Sequence, residues 1–135
     1  MDPSPRILLW NYSYEEMLAV DLLLQTVSAP LLQAIERDQG NLPVHEILFT
    51  DKRSDKPFSC DEKVMLFFNV PARTIHDVMD VMKKGSLPRP IYAAVTRESI
   101  EWTFSDLVDH LVKERDFIRK RMEEEKKKNT CPHAK

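Results

Sequence analysis

Polar residues follow four apolar runs at strand-like spacing. Asn11 follows residues 7–10, Thr50-Asp51 follows 44–49, Asn69 follows 64–68 and Thr96 follows 91–95. In a parallel sheet these ends would gather at the carboxyl edge, where open α/β sheets bind ligands. Amide and hydroxyl groups there would orient a small polar ligand, so Asn11, Asn69 and Thr96 are the candidate binding residues. The plainer reading is that strand ends carry polar residues as caps and turns.

Other chemistry is thinly represented. His45, His76, His110 and His133 show no metal-ligand spacing. His76 with Asp80, and Asp106 with His110, are i,i+4 pairs on helices, which suits a solvated ion pair. Cys60 sits beside Asp61 and Glu62, which would raise a thiol pKa rather than activate it. Cys131-Pro132-His133 lies in a polar tail with no second cluster. No Gly-x-Ser-x-Gly elbow is present, and two glycines in 135 residues leave no phosphate loop. No catalytic residue, metal or cofactor is therefore expected.

Composition narrows the class. An apolar fraction of 42% with 31% charged residues excludes global disorder. The net charge of −2 gives no global pull toward nucleic acid or anionic membrane. No apolar run approaches the ~20 residues of a membrane span, and no signal-peptide pattern opens the chain. With two cysteines and no disulfide framework, the expectation is a reduced, cytoplasmic protein.

The elements that would position these residues follow from periodicity. Residues 7–10 read as a buried strand. Ser13 and Glu16 have capping-box spacing, and Met17, Val20, Leu24 and Val27 continue a helical stripe that Leu23 and Leu31 widen. Pro30 predicts a break and a second short helix to Arg37, ended by Gly40. Residues 44–49 partly alternate and read as an edge strand. Residues 50–63 form a polar loop, long enough to be mobile or functional. Residues 64–68 are the surest central strand. Pro71 opens a helix with Ile75, Val78, Met79 and Met82 on one face, and Gly85 closes it. Residues 91–95 form a fourth strand. Thr103 with Asp106, and Trp102 with Leu107, have cap and staple spacing at the start of a last helix, so Trp102 reads as a packing residue. No internal repeat is visible.

The order βαββαβα gives an α/β fold: a three-layer domain over residues 1–128 with a polar tail at 129–135. Strands one, three and four are continuously apolar, which favours a mainly parallel four-stranded sheet in the order 2-1-3-4. The rival is a ferredoxin-like α+β sheet with strands two and three antiparallel.

The segment 64–114 resembles a small prokaryotic family of uncharacterised proteins, a domain of unknown function. The resemblance rests on Val64-Met65-Leu66-Phe67-Phe68, then Ala93-Ala94-Val95-Thr96, then Trp102-Thr103-Phe104 with Leu107 and Glu114. The chain departs from the pattern at Asn69-Val70-Pro71 and in the stretch before Trp102. The resemblance implies no activity.

From Thr103 the last helix extends about 39 Å over 26 residues, longer than a domain of this size is wide. Phe117, Ile118 and Met122 would lie on the overhanging part as an interaction surface. Residues 113–128 hold eight basic and five acidic side chains, +3, leaving −5 elsewhere. Two such helices packed antiparallel would form a weak homodimer. No aromatic is interleaved with the basic residues, so nucleic acid is not expected. The expected function is a non-catalytic binding or protein-interaction module. The alternative is a ligand sensor or small enzyme at the carboxyl edge of the sheet.

Overall fold

The computed structural model describes residues 4–85 and 87–130, with side chains as far as 125. Its elements are β1 (Arg6–Trp10), α1 (Tyr14–Gln25), β2 (Leu31–Ile35), α2 (Val44–Phe49), β3 (Val64–Phe68), α3 (Ala72–Lys84), β4 (Ile91–Ala94) and α4 (Phe104–Thr130). Short 3-10 turns at Arg37–Gln39 and Ser99–Glu101 precede α2 and α4.

The helix starts follow their local chemistry. The Ser13 hydroxyl accepts from the Glu16 N–H while the Glu16 carboxylate accepts from the Ser13 N–H, closing the capping box. Pro71 precedes α3, and the Thr103 hydroxyl accepts from the Asp106 N–H at the start of α4.

The class is α/β, and the sheet is mixed. Its order is β2-β1-β3-β4, with β1 parallel to β2 and β3 parallel to β4. The central pair, β1 and β3, is antiparallel, with Arg6 opposite Phe68 and Trp10 opposite Val64. The expected common direction of strands one, three and four is thereby corrected. Burial on both faces makes a strand continuously apolar whichever way it runs. Ile7, Leu9, Met65 and Phe67 face α1 and α3; Leu8, Trp10, Val64, Leu66 and Phe68 face α2 and α4. This gives three layers, not the open-faced ferredoxin-like sheet.

Two elements exchange identity. The short helix expected after Pro30 is strand β2, and the strand expected at 44–49 is helix α2. Ser28 takes a left-handed conformation (φ 53°) and Pro30 enters the strand, so the chain turns before any second helix can start. In α2 the buried residues are Val44, Ile47 and Leu48, an i, i+3, i+4 set that outweighs the partial alternation.

The two halves of the chain repeat one plan, strand–helix–strand–turn–helix. They meet about a pseudo-two-fold axis. Leu8 pairs with Leu66 at the centre of β1 and β3. Farther along, the Val44 N–H donates to the Trp102 carbonyl and the Phe104 N–H to the Leu42 carbonyl, at 2.9 and 3.0 Å. Asn11 and Asn69 each end a central strand in the left-handed region, at φ 65° and 55°. Asparagine tolerates that conformation better than other residues with a side chain. The repeat is invisible in sequence because the halves share a pattern of apolar strands and turns rather than residue identities.

The loop 50–63 is pinned in place. Arg53 bridges Glu36 and Asp38 at 2.7 and 2.9 Å. The Phe58 ring packs on Trp10 and Phe104, with centroids 5.2 and 6.2 Å away. Phe58 lies directly over Gly40, where any Cβ would collide with it. Gly40 closes the 3-10 turn, its N–H donating to the Arg37 carbonyl, and also permits this close approach.

Candidate functional site

The mixed sheet separates the expected ligand residues. Asn11 lies at the end of the sheet where β3 begins, while Asn69 and Thr96 lie at the opposite end. The Asn11 side chain donates to the Asp61 carbonyl at 2.9 Å, and the Asn11 main-chain carbonyl accepts from the Lys63 ammonium. Thr96 and Ser99 exchange hydrogen bonds that brace the turn before α4. No shared carboxyl edge assembles Asn11 with Thr96. Asn11 ties β1 to the start of β3, and Thr96 holds a turn.

The histidines and cysteine are also placed apart. Among the described residues no three His, Cys, Asp or Glu side chains group as metal ligands. Asp80 pairs with Lys84 rather than His76, and His110 approaches Glu114 rather than Asp106. The Cys60 carbonyl accepts from the Trp10 indole N–H. Cys131 and His133 lie outside the described residues. Trp102 is 37% exposed and lies edge-on to His110, so the expected buried packing ring is instead a surface one. Trp10, 3% exposed, is the core tryptophan.

The concave surface lies elsewhere, beside β4. A groove of about 510 Å³ opens between α3 and the second half of α4, with β4 along its floor. That volume falls in the range of binding sites for small ligands or peptide side chains. Met79 of α3, Ile91 of β4 and Leu111, Ile118 and Met122 of α4 supply apolar lining. Arg89, Arg115, Arg119 and Glu114 supply its charged lining. A second hollow of about 450 Å³ on the α3 side shares Met79, Arg89 and Tyr92 with the first.

The groove exists because α4 outruns the sheet. Phe104, Leu107 and Val108 bury the first turns of α4 against β1 and β3 residues. Beyond them Arg115 is held by Glu62, with both guanidinium nitrogens on the carboxylate at 2.6 and 2.9 Å. That contact keeps the Glu62 carboxyl below its ordinary range. It also fixes the direction in which the rest of α4 leaves the body. Of the three expected interaction residues, Ile118 and Met122 line the groove, and Phe117 lies outside it near the Arg121 guanidinium. The groove itself was missed in the sequence. Arg89 and Ile91, flanking Pro90 at the start of an edge strand, were the available signal.

Two other features stand apart. Tyr14, Leu18 and Leu22 form an exposed i, i+4, i+8 line along the outer face of α1. The Tyr12 hydroxyl is buried without a hydrogen-bond partner, and burial pushes its pKa well above that of a free phenol.

Residues 63–118, from the start of β3 into α4, match the model of a family described as Domain of unknown function (DUF3783). No curated protein and no solved structure matches the chain. The matched segment is nearly coincident with the second half of the pseudo-two-fold and contains almost all of the groove. Among the described residues no helix is long and apolar enough to cross a membrane.

Proposed function

We propose that the segment matched by this family of unknown function is the working half of a non-catalytic protein-interaction module, whose contact face is the groove between β4 and α4. The observation that carries this reading is the lining. Ile118 and Met122, 49% and 62% exposed, stand beside Arg89 and Arg119 in one concavity. Apolar anchors with an arginine rim are the composition of protein-binding surfaces. No nucleophile–base pair converges in the groove, so binding is favoured over catalysis. Random peptide display on the full chain, counter-selected with Ile118→Glu, tests the reading. Peptides enriched only on wild type support it; none enriched, or equal enrichment on the variant, contradicts it.

A second copy of the chain is the second reading of the partner. Phe117 is 61% exposed and continues the apolar patch around α4. Two α4 helices packed antiparallel would cover it. Sedimentation velocity at tens of micromolar separates the partners. A wild-type dimer lost in Ile118→Glu supports self-association, and monomers in both assign the groove to a different chain.

A further inference from the structure

Among the described residues, no strand lies beside the outer edge of β4. Ile91 and Val95 donate their backbone N–H groups to the Lys63 and Phe67 carbonyls. Along a strand paired on one side, alternate residues turn their N–H and C=O the other way. In β4 these are Tyr92 and Ala94, whose backbone groups therefore face the free edge. An open row of donors and acceptors is a template for another strand. Here the template runs beside the groove, walled by α3 on one face and by the overhanging α4 on the other.

Charge selects among possible occupants. The charged lining of the slot is three arginines and one glutamate, Glu114. Arg115 is committed to Glu62, but among the described residues neither Arg89 nor Arg119 forms an ion pair. Pairing two copies edge to edge would bring both sets of arginines into one slot, where like charges repel. An acidic segment would instead meet Arg89 and Arg119, although Arg119 also lies in the field of the Glu62 carboxylate.

We propose that the slot takes a fifth strand: an extended acidic segment of another protein, with apolar side chains interspersed, hydrogen-bonded to Tyr92 and Ala94. This rests on the interaction reading above and adds its mode. Main-chain pairing supplies affinity, while Met79, Leu111 and Ile118 receive side chains.

The test uses the full chain and a short peptide of alternating valine and glutamate. Controls are the same peptide with lysine for glutamate, and a version N-methylated on alternate backbone nitrogens. Amide hydrogen exchange at Tyr92 and Ala94 should slow about tenfold or more with the glutamate peptide, as for amides brought into a ladder. Both controls should leave it unchanged. Arg89→Glu with Arg119→Glu should weaken binding about fivefold or more, the upper end for exposed pairs. A glutamate peptide that binds, depends on Ile118, yet leaves both amides unprotected would overturn strand addition while sparing the interaction face. Binding indifferent to Ile118→Glu would overturn the interaction face itself. No binding at millimolar peptide, or protection that appears without peptide and grows with protein concentration, overturns the proposed occupant.

Discussion

Arg115 and Glu62 stand fork to fork, with guanidinium nitrogens 2.6 and 2.9 Å from the two carboxylate oxygens. The pair joins α4 to the next-to-last residue of the long loop ahead of β3. It sits where α4 passes from packed helix to overhang, and so sets one wall of the groove. Both side chains are partly exposed, which limits what the contact contributes to stability.

Glu62→Gln should therefore lower stability at neutral pH by less than about 1 kcal/mol. The folded-state pKa of Glu62 is depressed, chiefly by its hydrogen bonds to Arg115. Its contribution is present above the unfolded carboxylate range and is lost as pH falls through the folded value. Urea melts of wild type and variant should converge in acid. A gap that persists unchanged at low pH would show that charge is not its source.

Tyr12→Phe should raise stability by about 1 kcal/mol, because it removes a buried hydroxyl with no partner. The raised pKa adds a pH dependence of known sign. Above the ordinary phenol range the unfolded chain releases the Tyr12 proton while the folded chain keeps it, so stability falls as pH rises. The variant should show a shallower alkaline decline. Destabilisation by the variant would mean the hydroxyl has a partner in solution.

The two tryptophans should behave oppositely. Trp10→Ala should cost about 3–5 kcal/mol, as expected for deleting a buried aromatic. Trp102→Ala should cost about 1 kcal/mol or less, as for a surface substitution. Equal losses in thermal or urea melts would contradict their placement.

Gly40→Ala should destabilise by about 1–3 kcal/mol through overpacking against Phe58. Much of that penalty should vanish in a background carrying Phe58→Gly, since the collision is with the Phe58 Cβ as well as its ring. Additive losses in the double variant would place the strain elsewhere.

Strands β1, β3 and β4 and helices α1, α3 and α4 were legible because each carries a strong local signal. Examples are the unbroken apolar run Val64–Phe68 and the Ser13–Glu16 capping box. β2 and α2 were misassigned because both are short and their patterns weak. Leu31 is exposed at the start of an edge strand, and α2 spans only six residues. Strand direction was not legible, because Leu8 and Leu66 are equally buried whether their strands run together or opposed. The observed directions separate Asn11 from Asn69 and Thr96, which stay at one end of the sheet. Ile118 and Met122 were legible as apolar residues on a charged helix. The groove they line was not, because it depends on where β4 stops and on Arg115 holding α4 beside it.

The groove beside β4 competes with another exposed apolar surface, the Tyr14–Leu18–Leu22 line on α1. Mapping backbone amide shifts of the labelled full chain during titration with the valine–glutamate peptide decides between them. Contact at the groove predicts shifts concentrated at Arg89, Ile91, Tyr92 and Ala94 and along α4 from Leu111 to Met122. Shifts centred on Tyr14, Leu18 and Leu22, with β4 and α4 silent, would contradict the assignment of the interaction face.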